Sequence, residues 1–199
     1  MLLAGVGALF LGLVAGPVQP SALATIVGAI LVSELLTGAL LYGQLWSTRA
    51  PALAPLAAAY LATSLLVLGY LLTFPGVLAP MGLLGANEQT ALVFWCVWHT
   101  TFPVLVGVFA WCSRSPSPAI WSKGTTGLFI AGSIVASIAL AIGTLFVATR
   151  IPGFPPQLVH HGTAGPVMTR LILPGICLID TVALVMLAKT GARTIAQLW

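Results

Sequence analysis

Residues 90–112 read TALVFWCVWHTTFPVLVGVFAWC, a run with no Asp, Glu, Lys or Arg and one histidine, His99. A helix rises 1.5 Å per residue, so a run of this length covers the roughly 30 Å of hydrocarbon in a bilayer. Backbone polar groups find no partners in lipid, which leaves the helix as the form such a segment takes. The rest of the chain has the same character. Of 199 residues, 59% are hydrophobic and 5% charged, where a soluble domain carries about 45–50% apolar and about 25% charged residues. Seven Lys or Arg and three Asp or Glu cannot clothe a particle of this size in polar surface. A water-soluble fold is excluded.

Outward from that run, five further segments repeat the pattern. Met1 to Gly16 is an apolar run closed by Pro17, short for a span and without the basic start of a secretory leader. Ala24 to Trp46 forms a second span with a single acid, Glu34; Pro51 to Leu72 forms a third, stopped by Thr73, Phe74, Pro75 and Gly76. Asn87 is suited to cap the Thr90–Cys112 helix, and Glu88 falls in its first turn, where a negative charge favours the dipole. A polar link, SRSPSPAIWSKG, leads to a fifth span from Thr125 to Thr149, and Val167 to Ala188 is the sixth. The expected fold is all-α: a polytopic integral-membrane bundle of about six helices forming one membrane-embedded domain over residues 1–199, with no soluble output domain.

Basic residues in short loops mark the cytoplasmic side. Arg49, Arg114, Lys123, Lys189 and Arg193 fall on one face, Arg150 and Arg170 on the other. This places both termini in the cytoplasm. The long apolar loops 73–89 and 150–166 then share the external face, a candidate sensing surface carrying Phe74, Pro75, Gly76, Asn87, Glu88, His160 and His161.

Ionisable groups at mid-membrane depth are costly unless paired, neutralised or hydrated. Glu34, His99 and Asp180 lie ten to thirteen residues into their spans, at depths of roughly 15–20 Å, where they could form one layer. A carboxylate and an imidazole sharing a proton are cheaper to bury than either charge alone. Interhelical hydrogen bonds that merely hold the bundle in register explain the same residues equally well. Pro103 removes the N–H that would bond to the His99 carbonyl, and Pro174 does the same for Arg170, so each proline favours a kink or a polar cavity. Trp95, Trp98 and Phe102 form an aromatic stripe beside His99, suited to an apolar or cationic ligand or simply to lipid and helix packing.

No cluster of Lys and Arg exists to track phosphates, which excludes nucleic acid. Cys96, Cys112 and Cys177 read as small buried hydrophobes, not as a disulfide framework. The histidine spacing suits no metal, no catalytic motif is present, and no cofactor is expected. Two other classes remain as alternatives. A transporter or channel would use the Glu34/His99/Asp180 layer as a path, although no inverted repeat supports it; a haem-carrying redox protein would be coloured.

SELLTGALLYGQL (33–45) and the stretch from Leu56 to Ala110, with LTFPG at 72–76, GLLGA at 82–86 and the Trp98, His99, Phe102, Pro103 cluster, resemble the fourth type of membrane-associated sensor domain, the MASE class of bacterial input modules. Pro155, Pro156 and Leu158 add a weaker echo, and the resemblance covers about residues 24–199. It implies a non-enzymatic sensor in the lipid bilayer, responding to an unspecified small-molecule or physical stimulus. Its cytoplasmic partner would be a diguanylate cyclase of cyclic di-GMP signalling or, less often, a histidine kinase, on the same or another chain. Assembly as a homodimer is left open. The resemblance matches Glu34 to a family acid expected to be aspartate, and it implies further helices beyond Trp199, so that the chain reads as a fragment.

Overall fold

The computed structural model describes residues 20–87, 89–114, 120–151, 158–160 and 163–190. The expected first helix, Met1 to Gly16, lies outside the described residues. Within them are five helices long and apolar enough to cross a membrane. These are α1 (Pro20–Thr48), α2 (Leu53–Thr73), α3 (Thr90–Cys112), α4 (Lys123–Arg150) and α5 (Leu173–Thr190). A π-helical turn, Met168–Ile172, runs directly into α5 and completes its span. A two-residue antiparallel ladder, β1 (Val159–His160) with β2 (Thr163–Ala164), precedes it.

Helix α2 is the centre. It packs against α1, α3 and α4, while α5 packs mainly on α3. Half of its span is buried, against about a tenth of α1, α4 and α5. The reason is side-chain size: Ala54, Ala57, Ala59, Ala62, Thr63 and Ser64 are all buried, and such residues let helix backbones approach closely. At Gly69 the approach is closest, because the buried ring of Phe94 lies flat over the position a Cβ would occupy. Large apolar side chains on the outer helices, such as Leu40, Leu128 and Leu171, are exposed, as a lipid solvent permits.

Polar side chains in the spans are largely satisfied within their own helix. Thr25, Thr37, Thr73, Thr100, Thr126, Ser137, Thr144, Thr149 and Thr181 each donate to the carbonyl four residues back. Among the described residues, one bond between side chains crosses helices. Ser133 Oγ donates to the Ile130 carbonyl, which leaves the Tyr42 hydroxyl to donate to Ser133 Oγ at 2.7 Å, tying α1 to α4.

The ends are pinned by specific contacts. Asn87 Oδ1 accepts from the N–H groups of Gln89 and Thr90, and Thr90 Oγ1 accepts from the Asn87 N–H, a reciprocal cap on α3. Gly82 turns at φ +82° beneath the end of α2, where a side chain would collide with the Thr73 carbonyl. Leu158 N–H donates to Gln89 Oε1, so the two long loops meet at one end of the bundle. At the other end the Trp121 N–H donates to the Arg49 carbonyl, and Arg114 Nη2 reaches the Met186 carbonyl at 3.3 Å.

Before Pro174 the chain changes its winding. Pro174 has no N–H to give the Arg170 carbonyl, and the Leu173 N–H bonds five residues back to Met168. The kink or cavity expected from the loss of a donor to the Arg170 carbonyl takes the form of a widened turn. At Pro103, by contrast, α3 runs through without interruption, and the proline is buried.

Candidate functional site

Contacts between helices fix the heights of Glu34, His99 and Asp180. Tyr60 and Phe102 meet edge to face at 5.3 Å between centroids, and Gly69 sits under Phe94, so α2 and α3 run antiparallel with Thr63 level with His99. Gly38 rests on Tyr60 and Leu61, which sets Glu34 about one turn further along α1, level with Ser64. Gly107 lies 3.7 Å from the Met186 sulfur where a Cβ would stand, so Asp180 on parallel α5 is level with Thr101, two residues from His99. Glu34, His99 and Asp180 therefore occupy one layer about 5 Å thick.

Within that layer Glu34 stands on the Tyr60 side of the bundle and Asp180 on the His99 side, and among the described residues no hydrogen bond or ion pair joins either couple. Among the described residues no group of three His, Cys, Asp or Glu converges as metal ligands would. Glu34 is half-buried, and its Oε2 is buried without a hydrogen-bond partner. Asp180 is exposed on the surface of α5. Thr63, fully buried at the same height, also has an unpartnered hydroxyl.

His99 is the best-defined member. Its Nδ1 is 2.8 Å from the Trp95 carbonyl. A carbonyl only accepts, so Nδ1 carries the hydrogen, and in the neutral ring Nε2 is left as an acceptor. The indole of Trp95 stacks on the imidazole at 4.0 Å between centroids, and Trp98 approaches at 4.5 Å. Phe102, three residues further along α3, packs on Tyr60 of α2. Pro103, one turn below His99, leaves the His99 carbonyl without its helical donor.

The loop candidates lie apart from this layer. Phe74 packs on Tyr70 with centroids 5.3 Å apart, Pro75 is half-buried, and the Gly76 N–H donates to the Ala79 carbonyl at φ +82°. Asn87 is occupied in capping α3. His160 lies in β1, paired with Thr163; Glu88 and His161 lie outside the described residues. Tyr60 is the residue sequence reasoning missed. Its signal was a lone phenol in the small-residue run LAAAYLATS, where a large side chain has to emerge from a tightly packed helix.

Helices of this length, nearly free of charge and assembled around a small-residue centre, define a polytopic integral-membrane bundle with a polar and aromatic layer at mid-depth. Residues 19–199 match the family model MASE4, a membrane-associated sensor, integral membrane domain, and the chain belongs to that family. Nothing among curated proteins or solved structures matches it.

Proposed function

We propose that this domain is the input region of a bacterial signal-transduction protein in the inner membrane, with both termini cytoplasmic and a diguanylate cyclase or kinase as its output. In this reading the domain carries no catalysis itself; it converts a stimulus into a change in helix packing. The observation that carries the reading is the seam between α3 and α5. Asp180 on α5 and His99 on α3 stand at similar depth beside it, Pro103 and the π-helical turn before Pro174 flank it, and α5 packs on no other span to a comparable extent.

A helix held mainly by one neighbour can shift without dismantling the bundle. A stimulus acts on it only by favouring one arrangement over another, and driving a population from 1:99 to 99:1 takes about 5.5 kcal/mol of differential binding. Interactions of a carboxylate and an imidazole at mid-membrane depth are of a size to supply much of this.

The test uses the full-length gene product in native membranes, with cyclic di-GMP synthesis and autophosphorylation as readouts. His99→Gln and Asp180→Asn, at matched expression, are expected to lock or bias the output. Output identical to the parent in both variants would refute the reading.

A further inference from the structure

The seam between α3 and α5 opens into a groove of about 480 Å³, within the range of small-molecule sites. It runs from Pro103 to Trp111 on α3 and from Leu178 to Met186 on α5, about 12 Å along each helix. Its floor is open because Gly107 and Ala183, both buried, carry little side chain, while Leu178 and Val182 on its flank are exposed to the bilayer. The lining positions recur every three or four residues, and the next position on each stripe is basic. Arg114 follows Trp111 at i+3, and Lys189 follows Met186 at i+3. Arg114 Nη2 donates to the Met186 carbonyl at 3.3 Å, so the guanidinium stands over the end of α5 with further N–H groups to offer. Trp111, Arg114 and Lys189 are all exposed at this end. Asp180 is the one acid in α3 or α5, and it lies six residues, about 9 Å, short of Met186.

We infer that this groove holds an anionic phospholipid of the bilayer, with one acyl chain along the seam and the phosphate on Arg114 and Lys189. The two parts of the site select the class. An apolar wall that faces lipid takes up a hydrocarbon chain, which gains packing contacts there and brings no polar group to desolvate. Two cations at the mouth, with no acid beside them, call for net negative charge. The guanidinium fork matches phosphate oxygens, and basic pockets between spans hold anionic headgroups. Trp111 sets the mouth at headgroup depth, where indole rings settle. A soluble anion would leave the groove unfilled, and a neutral hydrocarbon would leave the two cations without a partner. The site stands on the groove and its mouth; only its regulatory meaning, a lipid that props α3 and α5 in one arrangement, rests on the sensor reading.

The measurement is native mass spectrometry of the 199-residue chain, delipidated in detergent and titrated with dioleoyl phosphatidylglycerol or with phosphatidylcholine of the same chains. The expected result is saturable binding that prefers phosphatidylglycerol and is weakened about 5-fold by each of Arg114→Gln and Lys189→Gln, the worth of one basic side chain at a membrane surface. Val182→Trp, which fills the groove from its exposed flank, should abolish it. Lys123→Gln removes a basic residue that opens α4 away from the groove and should leave binding as it was. Thermal melting confirms that the variants are folded; should Arg114→Gln fail to fold, Lys189→Gln and Val182→Trp carry the test, since both side chains are exposed. Equal affinity for the two lipids, unchanged binding in Lys189→Gln or Val182→Trp, equal weakening by Lys123→Gln, or displacement of the lipid by inorganic phosphate overturns the site. Binding as expected, with the output of the full-length protein unaffected by Val182→Trp, overturns the regulatory meaning and leaves the site standing.

Discussion

Replacing Gly69 by alanine probes the seam on which the bundle is built. A Cβ there would stand 2.6 Å from Phe94 Cζ and 2.7 Å from Cδ1, and closer still to Cε1. Carbon atoms rest near 3.5–4.0 Å, so the ring has to move by about 1 Å or the helices have to part. Phe94 is 2% exposed and can yield only toward the apolar cleft of about 220 Å³ that it lines together with Gly69. Overpacking of this kind costs about 1–3 kcal/mol, and the better helix propensity of alanine returns up to about 1 kcal/mol. The net loss expected is about 1–2 kcal/mol, read as a lower midpoint in thermal unfolding followed by circular dichroism in detergent. The decisive measurement is the pair with Phe94→Leu. Shortening the ring relieves the collision, so the double variant should be more stable than the two single losses added together, by about 1 kcal/mol of coupling. Additive losses, or a Gly69→Ala protein as stable as the parent, would refute the contact as the source of the close approach.

Three further outcomes follow from contacts at the ends and between helices. Gly82→Ala forces a side chain into the left-handed region with its Cβ 2.8 Å from the Thr73 carbonyl carbon; hydrogen exchange in 74–87 should rise while that in α2 stays slow. Asn87→Ala removes the cap of α3 and should cost about 1 kcal/mol, with faster exchange at Gln89 and Thr90. Tyr42→Phe deletes the bond to Ser133 between α1 and α4 and should lower stability by about 0.6 kcal/mol, the average for such bonds in membranes; a loss above about 2 kcal/mol would mean the hydroxyl has partners other than Ser133.

The spans were legible because length and apolarity alone decide them. Thr90–Cys112 has the boundaries read from the sequence, and α2 differs by two residues at its start and one at its end. Helix α1 begins at Pro20 instead of Ala24, since proline is tolerated in a first turn and does not mark the boundary from outside. The heights of Glu34, His99 and Asp180 followed from counting residues along helices. Their neighbours did not. Tyr60 stands near Glu34 because Gly38 and the alanines of α2 let two helices approach, a fact of packing between residues more than twenty apart in the chain. The same holds for Gly69 and Phe94. Pro174 announced a lost hydrogen bond, but whether the chain would bend, hydrate or widen around it depends on what α3 presents on the other side.

The widened turn at Met168–Ile172 has a bearing on how this chain tolerates change in length. An α-helix advances 100° per residue, so one residue removed upstream of Pro174 and absorbed by restoring ordinary winding would leave α5 in place. The same deletion downstream of Pro174 has no such slack. It would swing Asp180 a quarter-turn or more away from His99, and the chain's reading frame against its neighbour would be lost.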